Sequence, residues 1–354
     1  MRPWTIAIIL VVVAVAAIAL LAGRPGGFRL AEPTPGAPSN PSNAANPAPT
    51  TNTSAQLKAS AHSRITPSEP PLHTRDGCVL CHTGPGFAKQ TNKAAEVSAQ
   101  AIGCNDCHDF GADNKKEGKL RIVGKVTLPN KKAVDAGTAA TCMTCHNSRR
   151  DIADPTTLKD SSAPHYGPQA EILRGTNAVE YPGTKYTNSA HTALADSCVT
   201  CHMAAAAGNP NDAGGHSMRM KTKDGKANLN ACRPCHADIK SFDRTAYGDY
   251  DGDGTLEGLQ TEVDGLLATT QEAIVKLVPG ATKISHAKGK IVFEDSAGKP
   301  VATSNQKALQ AAWNWLLVEL DKSRGIHNPA YTVQVLQSTY KAVTGQDVPG
   351  ATIR

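Results

Sequence analysis

The sequence predicts a mainly α fold with long loops, built around five copies of one short motif, with C-terminal helices and a small hairpin. Three observations predict it. All ten cysteines fall into C-x-x-C-H copies between residues 78 and 236, separated by Gly, Asn, Lys and Asp-rich connections. Aromatic residues make up only 4% of the 354, too few to fill the centre of so long a chain unless another group supplies the bulk. After Tyr250, apolar residues recur every three and four positions, as a helix face requires.

Taken in order, Thr5 to Ala22 is an uncharged apolar run of 18 residues flanked by Arg2 and Arg24. It is just long enough to span a bilayer, and no small-x-small cleavage site follows it. Residues 1–23 therefore read as a signal anchor, with a removed signal peptide as the close alternative, and the remainder as exported. Residues 24–60 are rich in Pro, Ala, Asn and Thr with little to bury, and are expected to form a disordered linker. Residues 61–245 hold the motifs, and 246–354 form a helical part expected to pack on them.

In that last part, Leu256, Leu259, Val263, Leu266, Leu267, Ile274 and Leu277 mark one helix, stopped at Pro279. Lys283 to Thr303 reads as a hairpin. Leu309, Ala312, Trp313, Leu316, Leu317 and Leu320 mark a second helix. Tyr331, Val335, Leu336 and Val343 mark a third, which starts on Pro329.

The five motifs are Cys78/Cys81/His82, Cys104/Cys107/His108, Cys142/Cys145/His146, Cys198/Cys201/His202 and Cys232/Cys235/His236. Two thiols one helical turn apart can each bond a vinyl group of one porphyrin, and the following imidazole then lies beneath the ring to coordinate iron. This is the attachment pattern of c-type haem. Tetrahedral zinc would take two pairs per ion, and five pairs leave one over. A disulfide framework ignores the histidine after every second cysteine. A thioredoxin-like pair would occur once. The reading is five covalently bound haems, which also supply the missing aromatic bulk.

Haem changes the charge argument. The formal +6 is outweighed by two propionates per haem and partly restored by oxidised iron, so the basic balance does not point to nucleic acid. Lys115, Lys116, Lys119, Lys125, Lys131 and Lys132 read as a solvated loop.

Seven histidines lie outside the motifs: His62, His73, His165, His191, His216, His286 and His327. They suffice to give every iron a second imidazole. Met143 and Met203 are too close to their own motifs to reach across, and Met218 and Met220 are weaker candidates. His191 lies on the wrong side to fold over its own haem and is expected to serve a neighbour.

The order of motifs, with Met203 directly after the fourth ("CVTCHM"), then "GGHSMRM", the fifth motif and a closing "SRGIHNPAY", resembles the pentahaem cytochrome c nitrite reductase family and its electron-transfer relatives. "PHYGPQAEILRGT" is similar to a ligand segment of those relatives. The resemblance spans roughly residues 60 to 345. It implies a multihaem cytochrome c fold, with His165, His191, His216 and His327 as distal ligands. His73 is preferred over His62 as the fifth, and His286 is left as an ordinary exposed histidine.

The departures are informative. In the ammonia-forming reductases the first motif ends in lysine, and that haem keeps an open position. Here His82 stands in its place. Those enzymes also carry a catalytic tyrosine soon after the third motif, where this chain reads "CMTCHNSRRD". If a spare imidazole closes every iron, no metal position remains for substrate, so no residue is assigned a catalytic role.

"GDYDGDGTLEG" sets Asp249, Asp251 and Asp253 at alternate positions, followed by Thr255 and Glu257. This matches the first part of a calcium loop. Gln260 stands where the bidentate carboxylate belongs, and Glu262 is a substitute. The competing reading is a solvated acidic turn.

The function expected is single-electron transfer by an exported pentahaem cytochrome along bis-histidine haems. Its partners would be other cytochromes or a membrane quinol oxidase, in a periplasmic or extracytoplasmic location, anchored by residues 5–22 if these are uncleaved. Two alternatives are a reductase of nitrite, hydroxylamine or a sulfur oxyanion at one five-coordinate haem, and a haem-stacking subunit of a conducting filament. Oligomerisation stays open.

Overall fold

Short turns of helix and loops carry the first two thirds of the chain, because the cysteine motifs are spaced by residues that favour turns over continuous helix. The computed structural model describes residues 53–65, 71–111, 118–207 and 211–354. The apolar run at 5–22 and most of the expected linker lie outside the described residues.

Seven short helices occupy this part: α1 (Thr53–Ala59), α2 (Val79–His82), α3 (Gly84–Lys89), α4 (Cys104–Cys107), α5 (Ala140–Met143), α6 (Gln169–Arg174) and α7 (Ser197–His202). Two small antiparallel pairs join them, β1 (His108–Asp109) with β2 (Lys119–Leu120), and β3 (Lys125–Thr127) with β4 (Ala133–Asp135). A minor apolar cluster of Leu128, Val134, Met143 and Leu173 holds β3, β4, α5 and α6 together.

The C-terminal part contains α8 (Leu259–Val275), the strands β5 (Lys283–Ala287), β6 (Lys290–Glu294) and β7 (Pro300–Val301), then α9 (Gln306–Asp321) and α10 (Pro329–Thr344). The turn between β5 and β6 has positive φ at both Lys288 (50°) and Gly289 (76°), the primed geometry that suits strand twist. Alternation buries Ile284, Ile291 and Phe293 on one face of the sheet. Helix α9 starts on Asn305, whose side chain accepts from the Ala308 N–H. Helix α10 starts on Asn328 with Pro329 behind it, and stops at Gly345 with φ 83°.

The main core lies among α8, α9, α10 and the sheet, and takes in Ile152, Leu158, Ile172 and Val179 from the motif-bearing part. Its polar groups are spent on tying loops down. Trp313 Nε1 donates to Asn177 O at 2.8 Å. Asn314 grips both backbone groups of Val179, accepting from its N–H at 2.7 Å and donating to its carbonyl at 2.9 Å. Asn328 donates to Asn188 Oδ1 at 2.7 Å and accepts from the Ser189 N–H at 2.9 Å. The helices thus act as a fixed surface on which residues 176–190 are laid.

Three expectations need correction. The linker was expected to run through residue 60, yet 53–59 form α1, because Gln56 docks its side chain on the His216 N–H at 3.0 Å. The helix marked from Leu256 begins at Leu259, and Leu256 is 56% exposed in the acidic loop before it. The hairpin gains a third strand, β7, paired antiparallel to β6. Among the described residues no helix is long and apolar enough to cross a membrane.

Trp313 is fully buried and carries both packing and a backbone tether. Trp313→Ala is expected to destabilise the fold by about 3–5 kcal/mol, read as a lowered denaturation midpoint for the α8–α10 part.

Candidate functional site

Each motif is one helical turn, and that turn does the positioning. The histidine N–H bonds back to the carbonyl of the first cysteine in His82→Cys78 (3.1 Å), His146→Cys142 (2.9 Å) and His236→Cys232 (2.8 Å), and His108 caps Cys104 the same way. An i to i+4 bond places the imidazole directly along the helix from the first thiol, with the second thiol beside it.

Opposite each motif imidazole stands a second one. His82 faces His165, with ring centres 6.2 Å apart, and His108 faces His216 at 6.2 Å. His146 faces His62 at 6.0 Å, His202 faces His327 at 6.3 Å, and His236 faces His191 at 6.2 Å. Two metal–imidazole bonds of about 2 Å, plus the reach from each nitrogen to its ring centre, add to about 6 Å. The residues therefore fit an iron held between paired imidazoles. The Nε2 of His82 is buried without a hydrogen-bond partner, as an atom reserved for a metal would be.

The other ring nitrogens are held by the protein. Nδ1 of His108, His165, His191 and His202 bonds the backbone carbonyls of Gly118 (2.5 Å), Tyr166 (2.9 Å), Ile326 (2.6 Å) and Met218 (3.1 Å). His146 Nδ1 meets Gln169 Oε1 at 3.2 Å, and His62 Nδ1 meets Ser60 Oγ at 3.1 Å. His327 Nδ1 meets a carboxylate, Asp321 Oδ1, at 2.7 Å. Such partners fix ring orientation and basicity.

Burial lowers the pKa of most of these imidazoles. His82 and His165 fall to about 4, through desolvation first and the Arg149 cation second. His327 moves the other way: burial pushes it down, but the charge and hydrogen bond of Asp321 outweigh that.

Thiols from different motifs are neighbours. Cys81 and Cys145 are within hydrogen-bonding reach, as are Cys142 and Cys198. Cys142 and Cys145 both sense Cys107, and Cys201 senses Cys232 and Cys235. Motif 1 thus lies beside motif 3, motif 3 beside motifs 2 and 4, and motif 4 beside motif 5.

The fifth non-motif imidazole facing a motif is His62, not His73. His73 sits on a single turn at 72–74 and, among the described residues, faces no other ring; His62 sits on the turn capped by Ser60, next to α1. His286, expected to be exposed, is half-buried and packs edge-on against Tyr166 with ring centres 4.2 Å apart. Sequence reading missed Asp321 and Gln169. The only signal was the spacing of Asp321 and Ser323 before His327.

One carboxylate oxygen each from Asp249, Asp251 and Asp253 lie within 4.8 Å of one another. The loop is drawn tight by the side chains themselves: Asp249 accepts from the Gly252 and Gly254 N–H groups, Asp253 from Thr255. Glu257 lies outside this trio, though its pKa is raised, first by desolvation and then by the nearby carboxylates. Glu262 does not stand in for the missing bidentate ligand. Fully buried, it accepts from the Tyr250 and Glu257 N–H groups and so braces the loop backbone.

The cytochrome c552 family model matches residues 179–348, a span that includes the fourth and fifth motifs with His191, His216 and His327. The match and the five motifs are together consistent with a multihaem c-type cytochrome that resembles the pentahaem nitrite reductases. The fold of this chain is similar to that of a solved structure, the outer cell wall cytochrome OcwA. The TM-score is 0.51 at 19% identity, over 82% of this chain and 50% of the other. The chain thus spans half the length of that protein. No curated protein matches the sequence.

His62→Ala is expected to convert one low-spin iron of the oxidised cytochrome to high spin, whereas His73→Ala leaves the electron paramagnetic resonance spectrum unchanged. The opposite result would return His73 to the ligand set.

Proposed function

We propose that this cytochrome binds five haems and passes single electrons along them between redox partners, without substrate chemistry at iron. One observation carries the reading: every motif imidazole, including His82, has a second imidazole across from it at 6.0 to 6.3 Å. His82 matters most, because it stands where the reductases use lysine, and His165 covers the position that substrate would need. Bound haem iron supplies one-electron chemistry, and the protein's part is to hold its imidazoles in fixed orientations.

The run of neighbouring thiols supports a continuous series, motif 1 to 3 to 4 to 5 with motif 2 against motif 3. Cys104 of motif 2 and Cys235 of motif 5 are exposed, which makes those two motifs the natural points of exchange with other cytochromes or a membrane quinol oxidase. The attachment of haem to C-x-x-C-H and the likeness to an outer cell wall cytochrome support an extracytoplasmic location. The acidic loop is read as a structural calcium site, since three carboxylates converge there and their repulsion, after burial, raises the pKa of Asp251.

The oxidised protein is expected to give wholly low-spin electron paramagnetic resonance spectra and an intact mass above the polypeptide's by five haems. A high-spin signal from one iron in the wild type would favour the reductase reading instead. Removal of calcium by a chelator is expected to lower the melting temperature and its return to restore it; a chelator-insensitive melt would reduce the loop to a solvated turn.

A further inference from the structure

Seven of the ten paired imidazoles have an Nδ1 partner described above, and six of those partners are neutral: carbonyl, amide or hydroxyl oxygens. The seventh is the carboxylate of Asp321 on His327. Asp321 ends α9 and is 3% exposed. Among the described residues no lysine or arginine pairs with it, and its ion-pair partner is His327. Its second oxygen is held by the hydroxyl of Ser323, whose Oγ in turn accepts the His327 N–H at 3.2 Å. Asp321, Ser323 and His327 thus form a closed loop in which the carboxylate cannot turn away.

A buried anion with no cation of its own is costly unless something nearby carries positive charge. Oxidised haem iron carries one more positive charge than reduced, so a carboxylate on its ligand favours the oxidised state. It does so directly, and by drawing the Nδ1 proton so that the imidazole becomes a stronger donor. We propose that Asp321 sets the potential of the motif-4 centre, making it the most reducing in the series. Asp321 is a positioning residue that acts through His327. A side link extends its reach: Gln169 donates to the Asp321 carbonyl at 3.1 Å while its own oxygen meets His146 of motif 3.

This rests on the reading of His202 and His327 as an axial pair, and the test separates the two. Asp321→Asn keeps the side-chain shape and an acceptor oxygen but removes the charge. In a redox titration followed by absorbance, one component is expected to move upward by at least a tenfold change in its reduction equilibrium, about 59 mV for one electron. The others stay in place, the spectrum stays low-spin, and Asp321→Glu keeps that component near its original position. Ser323→Ala, which frees the second carboxylate oxygen, is expected to move the same component the same way by less. It serves as the deciding variant should Asp321→Asn not take up haem. Unmoved components, or all components moving alike, would overturn the role of Asp321 while leaving the axial pair standing. A high-spin motif-4 centre in the wild type would remove the pair itself.

Discussion

In the proposed reading, two imidazoles that must meet across one metal are the constraint on which this architecture depends. The motif half of each pair is local, fixed by a single turn of helix. The other half comes from a distant stretch: His62 reaches motif 3, His327 reaches motif 4, and His191 reaches past its own motif to face motif 5. In the proposed reading each pair is a cross-link through iron. A cross-link closes a long loop once, and loop entropy rises only slowly with length, so the intervening residues are free to remain irregular. That accounts for helices of four to seven residues in the first two thirds of the chain.

Cross-links alone do not orient anything, and the α8–α10 core supplies the orientation. Asn314 and Asn328 are buried amides, each of which spends two hydrogen bonds on the 176–190 stretch. That stretch leads into His191 and the fourth motif. His327 sits in the short connection between α9 and α10, with Asp321 at the end of one helix and the Asn328 cap at the start of the next. A rigid helix pair therefore carries one imidazole and its carboxylate together, which loops could not do with comparable precision.

How much of this was legible follows from which contacts are local. The motifs, the helix faces of α9 and α10, and the start on Pro329 depend on spacing within a few residues, and sequence carries them plainly. The choice of His62 over His73 depends on where Ser60 and α1 dock, a tertiary matter that residues alone do not encode. Resemblance could not decide it either. Residues 53–59 looked unstructured because their composition is polar, yet the Gln56 contact with the His216 segment gives them a surface to fold on. Glu262 looked like a spare calcium ligand because spacing counts residues and not hydrogen bonds; its oxygens are taken by loop N–H groups.

Identical ligand pairs raise a problem that the surroundings resolve. If five haems bind as proposed, five centres with the same two imidazoles would share similar potentials if nothing else differed, and a series without differences has no direction. The structure supplies differences of two kinds. Ring planes are nearly perpendicular at His62/His146 (86°) and His191/His236 (83°), but only 41° and 43° apart at His108/His216 and His202/His327. Charge supplies the second kind: Arg149 lies near His82 and His165 at motif 1 and is also felt by His146 at motif 3, while Asp321 bonds His327 at motif 4. A cation by one centre disfavours its oxidised form, and an anion on the other favours it. In the proposed series motif 3 lies between motifs 1 and 4, with a cation towards one side and a buried carboxylate on the other, so direction can come from these neighbouring charges while the imidazole pairs stay alike.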